Sequence, residues 1–228
     1  MSFFSEHSIY IMLLIAAFIN CDWLINMRKR LNMSWVAALL FAVFFEIYSL
    51  LSAKIFAVAE YGFDFSKFSN MSLFGGVFLV PVALFIGAKL SNRKVSDVFD
   101  VFSIPTVVTV LCARINCLIA GCCLGTFVPG TDFRWPTREV EVVFYVAFLL
   151  VFMPRVFKKK THGEVYPAYM LSYGVLRFIL EFLRVTDRTE SLFHLSHVWA
   201  LISAGIGLAF VLYLRKKNSV SPKTARHK

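Results

Sequence analysis

Residues 71–90 read MSLFGGVFLVPVALFIGAKL, and they decide the fold class because Lys89 is the one charged residue among them. A helix needs about 20 predominantly apolar residues to cross the roughly 30 Å hydrocarbon core of a bilayer. This stretch therefore predicts a transmembrane helix rather than a helix of a water-soluble domain.

The rest of the chain repeats this apolar character. Of its 228 residues, 58% are hydrophobic and 17% are charged, whereas soluble domains carry about 25% charged residues. We expect an all-α integral membrane protein, a bundle of seven transmembrane helices that forms a single domain over 1–228, with a disordered basic tail from about 215. The predicted spans are 8–27, 33–58, 71–90, 98–124, 138–154, 165–183 and 193–214.

The basic residues predict the orientation of this bundle. They cluster after the first, third, fifth and seventh spans, and the alternate loops carry no such excess. Because cytoplasmic loops are enriched in Lys and Arg, the N-terminus is predicted outside and the C-terminus in the cytoplasm. The same clusters account for the net charge of +10, and no basic face is interleaved with aromatic residues, so no nucleic-acid partner is predicted.

Charged residues inside the predicted spans indicate a candidate site, because an ionisable side chain at membrane depth is costly unless it is paired or hydrated. Arg114 lies in the fourth span, and Tyr173, Arg177 and Glu181 share one helical face in the sixth. These residues could form structural ion pairs. Two guanidinium groups also suit a phosphate, which they bind through paired N–H donors, so a phospholipid head group is the expected ligand.

Small residues follow Arg114 in the stretch ARINCLIAGCCLG, residues 113–125. Gly121 and Gly125, like Gly75 and Gly76 in the third span, allow a lipid or another helix to approach the backbone closely. Ordinary helix packing explains the same glycines, so they stand here as candidate substrate-binding residues with a structural alternative.

Four of the five cysteines lie between positions 112 and 123. Their spacing matches neither the pattern of a disulfide scaffold nor the Cys and His pattern of a zinc site, so no metal and no cofactor are predicted. The adjacent Cys122 and Cys123 could serve as a nucleophile or a redox pair, or simply as small buried side chains. Cys122 is also a candidate substrate-binding residue.

Two carboxylates open the fifth span, just after Pro136. The helix dipole accounts for Glu139, which lies in the first turn. Glu141 is deeper in the helix and is a candidate substrate-binding residue.

Taken together, these residues resemble the prolipoprotein diacylglyceryl transferase family over most of the chain, most strongly from about 95 to 210. The signature segment of that family reads Gly-Arg-Ile-Gly-Asn-Phe-Ile-Asn-Gly-Glu, and Arg114 and Gly121 match it, as does the later Gly125. Cys117 and Cys122 stand at positions that hold Asn and Glu in the family. A second family segment, Tyr-Gly-x-x-Arg-x-x-x-Glu-x-x-Arg, is matched by Tyr173, Gly174, Arg177, Glu181 and Arg184.

The resemblance implies a seven-helix membrane bundle and a transfer reaction. The diacylglyceryl group of phosphatidylglycerol passes to the lipobox cysteine of a prolipoprotein, and glycerol phosphate leaves, with the site towards the outer leaflet of a bacterial plasma (inner) membrane. Arg114 and Arg177 would hold the head-group phosphate, Glu181 would orient Arg177, and Tyr173 would donate a hydrogen bond nearby.

One departure from the family affects the acceptor. The third span of the family carries His-Gly-Gly, a candidate base for the acceptor thiol, and this chain has Phe74-Gly75-Gly76. Two alternatives therefore stay open: a related phospholipid-dependent transferase with an acceptor other than a prolipoprotein, and a non-catalytic lipid-binding membrane protein.

Overall fold

The computed structural model describes residues 3–68, 70–184 and 195–224. Seven α-helices and one short 3-10 helix, Phe65–Lys67, make up most of these residues. The α-helices are α1 (Phe3–Met27), α2 (Trp35–Glu60), α3 (Leu73–Leu90), α4 (Val95–Ala120), α5 (Thr137–Phe157), α6 (Val165–Glu181) and α7 (Leu195–Thr224).

The predicted membrane bundle is confirmed. Among the described residues, six helices are long and apolar enough to cross a membrane, namely α1 to α5 and α7. The remaining helix, α6, has 17 residues. Large apolar side chains such as Leu14, Phe18, Phe44 and Leu150 are exposed on the outside of the bundle, where acyl chains rather than water would surround them. The chain is therefore a multi-pass membrane protein.

Helix α4 is the centre of the bundle and packs against α1, α3, α5 and α6. In the most apolar stretch of α4, 78% of the residues are buried inside the bundle, whereas the corresponding share is 22% in α2, α5 and α7. Buried hydroxyl groups of α4 find hydrogen-bond acceptors in the preceding turn of the same helix. Ser103 donates to the carbonyl oxygen of Phe99, and Thr106 donates to that of Phe102.

Helices α6 and α7 pack closely because glycines lie between them. A Cβ atom on Gly174 would lie 2.6 Å from the carbonyl oxygen of Ala200, and one on Gly207 would lie 2.4 Å from the backbone nitrogen of Leu171. Small residues at such contacts bring backbones together, which is a common means of helix association in membranes. This packing holds the Tyr173–Glu181 face of α6 against the rest of the bundle.

The fourth span ends earlier than predicted, at Ala120 instead of position 124. Gly121 adopts a left-handed conformation with φ 68°, which terminates the helix as a C-cap glycine commonly does. Cys123 is left-handed as well, with φ 58°. Residues 121–125 therefore turn back over the end of α4, and Gly125 forms an isolated antiparallel bridge with Arg184.

The C-terminal end differs from the prediction in the opposite direction. Helix α7 continues to Thr224, so positions 215–224 are helical where a disordered tail was predicted. The predicted start of the seventh span, at 193, lies outside the described residues.

A buried ion cluster fastens the end of the bundle at which α4 begins. The Nε atom of Arg30 lies 2.8 Å from Asp97, and its Nη2 atom lies 3.1 Å from Asp100. Asp100 also accepts a hydrogen bond of 2.7 Å from the backbone N–H of Gly163. The cluster thus joins the turns that follow α1 and α5 to the first residues of α4.

Candidate functional site

The predicted site forms about 21 Å further along α4, at the rise of about 1.5 Å per residue from Asp100 to Arg114. Helices α4, α5 and α6 each supply a charged side chain there. The Nε atom of Arg114 lies 2.9 Å from Oε2 of Glu141, and Nη1 of Arg177 lies 3.4 Å from Oε1 of the same carboxylate. Arg177 also contacts Glu181 at 2.7 Å, and all four side chains are buried.

This arrangement gives the two arginines a shared partner that sequence reasoning did not assign. The sequence suggested a phosphate as the common partner of Arg114 and Arg177, whereas the structure places Glu141 between them. Glu141, predicted to bind substrate, lies at the centre of the charged cluster and contacts both guanidinium groups. Glu181 does contact Arg177, and its orienting role stays a prediction.

Buried tyrosines surround this charged cluster. The hydroxyl groups of Tyr145, Tyr169 and Tyr173 have no hydrogen-bond partner among the described residues. Rings of Tyr169 and Tyr173 stack with their centroids 5.7 Å apart. A buried hydroxyl group without a partner costs about 1–3 kcal/mol. Of the three tyrosines, Tyr173 lines the cavity next to the cluster, so its hydroxyl group favours the arrival of a polar ligand.

Phe74 stands next to Tyr173, and their rings make an edge-to-face contact with centroids 5.9 Å apart. Phe74 also stacks on Phe78, which lies against Trp199. The position at which the family carries His is therefore part of an aromatic wall, and this side chain has no group that could accept a proton.

The charged cluster borders a cavity of about 670 Å³. One part of its wall is charged, and the rest is formed largely by apolar residues of α1 to α4. A cavity with one cationic end and apolar walls is suited to an amphipathic ligand with an anionic head. Arg184 lines the cavity, and so do all four predicted catalytic residues, which are Arg114, Tyr173, Arg177 and Glu181.

Arg184 adds a positive charge just beyond α6. It forms no ion pair with any residue in the described ranges, and it lines the cavity. Burial lowers the pKa of Arg184, and the positive charges of Arg177 and Arg114 lower it further. An anion that entered the cavity would relieve this repulsion.

The four glycines predicted to bind substrate differ in their structural roles. A Cβ atom on Gly75 would lie 2.1 Å from the carbonyl oxygen of Ser52, and one on Gly125 would lie 2.1 Å from the carbonyl oxygen of Trp135. Both glycines therefore allow close backbone packing. Gly76 lines the cavity, whereas Gly121 is the exposed C-cap of α4. Of the six predicted substrate-binding residues, Gly76 is the one that lines the cavity.

Sequence reasoning missed a further carboxylate within the bundle, Glu46 of α2. The Nδ2 atom of Asn20 donates a hydrogen bond to Glu46, and Thr109 Oγ1 donates to it at 2.9 Å. The signal was available, because Glu46 is the one acidic residue within an apolar run from Trp35 to Ala53 and an ionisable residue inside a span is a candidate by default.

Three cysteines converge at the end of α4. The sulfur atoms of Cys117, Cys122 and Cys123 all lie within 4.8 Å of one another, and Cys117 and Cys123 line the cavity. Hydrogen bonds with the other two thiols lower the pKa of Cys123, and the positive charges of Arg184 and Arg114 act in the same direction. Cys122 is exposed and lies outside the cavity wall.

The fold and this site define a class: a multi-pass helical membrane protein with an arginine-lined cavity. The chain belongs to the prolipoprotein diacylglyceryl transferase family, whose model matches residues 4–213.

Named relatives agree with this membership at low identity. The chain is 24% identical over 185 residues to the phosphatidylglycerol–prolipoprotein diacylglyceryl transferase of Helicobacter pylori, covering 72% of this chain and 64% of the relative. It is 27% identical over 153 residues to the enzyme of the same name from Clostridium tetani, covering 60% and 61%, and 22% identical over 169 residues to that from Dehalococcoides mccartyi, covering 68% and 65%. The chain thus spans less than two thirds of the length of these relatives.

Proposed function

We propose that this protein transfers the diacylglyceryl group of phosphatidylglycerol to the thiol of a lipobox cysteine in a prolipoprotein and releases glycerol phosphate. Family membership and the names of the relatives support this reaction. The observation that carries it for this chain is the cavity, in which Arg114, Arg177 and Arg184 stand at one end of a largely apolar wall.

The charge balance of the site suits a phosphodiester. In the cluster formed by the ion pairs and Arg184, three arginines face two buried carboxylates, Glu141 and Glu181, which leaves one net positive charge. Glu60 also lines the cavity and is not part of this count. The phosphate of phosphatidylglycerol carries one negative charge and would neutralise it. Glu141 contacts Arg114 at Nε, and the terminal nitrogen atoms of that guanidinium form no hydrogen bond with a described residue, so they are available to phosphate oxygens.

The same cations favour the transition state over the bound substrate. The acceptor sulfur forms a bond to the glycerol carbon of the diacylglyceryl group as the bond from that carbon to the phosphate oxygen breaks. Negative charge moves from the thiolate onto the leaving phosphate, whose charge rises from one to two. Fixed guanidinium groups next to that phosphate stabilise the growing charge, which is the form of binding that accelerates a reaction.

The site is placed in the outer leaflet of a bacterial plasma membrane in this proposal, within a single transmembrane domain. The basic clusters follow α1, α3 and α5 and lie in the last part of α7, at the end of the bundle where Arg30 joins the turns, and positive charge favours the cytoplasmic side. The arginine-lined cavity lies towards the other end of α4.

One observation favours a second candidate, a transferase that uses the same donor with a different acceptor. Phe74 replaces the candidate base of the family, and its ring contacts Tyr173 inside the cavity wall. A small nucleophile that needs no base at this position would then replace the prolipoprotein thiol.

The experiment incubates the purified protein with phosphatidylglycerol and a lipobox peptide, followed by mass spectrometry of the peptide and assay of glycerol phosphate. We expect a diacylglyceryl mass gain that Arg114→Ala abolishes and Arg155→Ala retains, since Arg155 is an exposed arginine of α5 outside the cavity wall. Glycerol phosphate released without a modified peptide would support the second candidate. Phospholipid binding without any turnover would contradict both.

A further inference from the structure

The three cysteines after Arg114 form a group whose geometry resembles a metal site. Their sulfur atoms lie within 4.8 Å of one another. In a tetrahedral zinc site the Zn–S distance of about 2.3 Å places sulfur atoms about 3.8 Å apart. A contraction of at most about 1 Å would therefore bring Cys117, Cys122 and Cys123 to the separation that one Zn²⁺ ion requires.

The backbone around the cysteines is held by the start of α5. Arg138 Nη1 donates to the carbonyl oxygens of both Cys117 and Cys122, at 3.3 Å in each case. Thr137 Oγ1 lies 3.5 Å from the carbonyl oxygen of Cys123 as a hydrogen-bond donor. Two neighbouring residues of α5 thus contact the backbone of each of the three cysteines.

Cys123 is held in a conformation that favours glycine. Its φ of 58° is left-handed, and a side chain in that region costs of order 1–3 kcal/mol unless the surroundings impose it. Because the turn capped by Gly121 reverses the chain at this point, Cys123 lies on the cavity wall beside Cys117. The strained residue is thus one of the two thiols that a ligand in the cavity can reach.

We propose that Cys117, Cys122 and Cys123 form a three-thiolate Zn²⁺ site whose open fourth position binds and activates the acceptor thiol. Among the described residues the group contains these three ligands and no fourth. Three protein ligands with one open position are the arrangement of catalytic zinc sites. Zinc bound to three thiolates carries one negative charge, and Arg184, which forms no ion pair with a described residue, lies on the same cavity wall as Cys117 and Cys123.

The step that follows rests on the proposed function and supplies what Phe74 cannot. The acceptor thiol binds zinc and releases its proton to water, since a coordinated thiol is deprotonated. The zinc-bound thiolate then attacks the glycerol carbon, the carbon–sulfur bond forms, and the carbon–oxygen bond breaks with its electron pair leaving on glycerol phosphate. The neutral thioether product is a weak zinc ligand and dissociates.

Co²⁺ substitution tests the site without relying on turnover. The protein in detergent is treated with a chelator and titrated with Co²⁺, whose thiolate charge-transfer and tetrahedral d–d bands report the ligands. We expect one equivalent of bound Co²⁺, displaced by Zn²⁺, and a loss of metal affinity of about 100-fold or more in Cys117→Ala and Cys123→Ala. Cys112→Ala is the matched control, because Cys112 is a free cysteine of the same helix outside the group.

A second titration adds a lipobox peptide without phospholipid. A further rise in the thiolate charge-transfer band, absent with the Cys→Ser peptide, is expected if the peptide thiol becomes the fourth ligand. No metal binding, or equal binding by Cys112→Ala and Cys123→Ala, would overturn the proposal, and so would a spectrum that the peptide leaves unchanged. Failure of the proposed function is separate from these outcomes, since it would leave both titrations intact while no peptide is modified in phosphatidylglycerol vesicles.

Cys122→Ala keeps the proposal testable if the other cysteine variants fail to fold. Cys122 is exposed, so its loss removes a thiolate with little effect on packing. If Cys122→Ala is as thermally stable as Cys112→Ala yet binds Co²⁺ as tightly as the unaltered protein, Cys122 is not a ligand and the three-thiolate site is wrong.

Discussion

Two ion clusters lie at opposite ends of α4, and only one of them has the properties of a functional site. Arg30 is satisfied by Asp97 and Asp100 and also donates to the carbonyl oxygens of Val156 and Thr161, at 2.9 Å each. At the other end, Arg114 and Arg177 share one carboxylate. The first cluster closes on itself, whereas the second borders a cavity.

The difference teaches that burial of charge in a membrane bundle does not by itself identify a site. Near Arg30 each described polar group has a partner, so the cluster serves to join turns. Near Arg114 the hydroxyl groups of Tyr145, Tyr169 and Tyr173 lack described partners, and Arg184 brings a positive charge without a described carboxylate. Incomplete satisfaction next to a cavity is what indicates a ligand.

The largest effect is expected on stability at the closed cluster. Asp100→Ala removes one of the two carboxylates that contact Arg30 and leaves the backbone N–H groups of Gly163 and Val165 without this acceptor, and breaking a buried ion pair costs about 3–5 kcal/mol. We expect denaturant unfolding in detergent to show this loss, while lipid turnover per folded molecule stays unchanged. A variant that is stable but inactive would remove the distinction between the two clusters.

The second prediction tests whether the open cluster serves function rather than stability. Replacing Arg177 and Glu181 together by Met removes both charges of a pair in contact at 2.7 Å, and apolar replacement of a whole buried pair is often neutral for stability. We expect the free energy of unfolding to change by about 1 kcal/mol or less. Turnover of phosphatidylglycerol should fall by about 10²–10³-fold, as when a transition-state donor is removed. Retained turnover would contradict the assigned role.

The third prediction tests whether the position of Phe74 and the three cysteines serve the same step, activation of the acceptor thiol. Phe74→His restores a proton acceptor next to Tyr173, and general base catalysis can contribute about 10²-fold or more. We expect it to raise peptide modification by Cys123→Ala about tenfold while changing the unaltered protein little. Phe78→His, which alters a neighbouring ring of the same wall, is the control. Equal gains in both backgrounds would argue against a shared task.

The smallest effect is expected at Arg184, which lies at the end of the cluster and is partly exposed. Arg184→Gln removes one cation of three from the cavity wall, and a single long-range charge is worth about 1 kcal/mol. We expect the KM for phosphatidylglycerol in mixed micelles to rise about fivefold with kcat nearly unchanged. A fall in kcat as large as that of the double Met variant would place Arg184 at the reacting phosphate.

Much of the site could be predicted from the sequence because its signals are local. The spacing of Tyr173, Arg177 and Glu181 already predicts a shared helical face, and Arg114 stands out within an apolar run. Glu141 as the link between the two arginines could not be predicted in this way, since it lies on another helix 27 positions after Arg114. The predicted length of the fourth span failed because hydropathy does not register the left-handed Gly121 that ends the helix.

The sequence by itself determined the class of this protein, a multi-pass helical membrane bundle of the prolipoprotein diacylglyceryl transferase family, and indicated two of the arginines of its candidate site. Apolar length and helical spacing are properties of neighbouring residues, so they can be read along the chain. Only the tertiary structure decided which carboxylate meets which arginine and which cysteines meet each other. Their spacing along the chain predicted no metal site, but the turn after Ala120 and the hydrogen bonds from the start of α5 bring three thiols together, and such contacts exist only once the helices have packed.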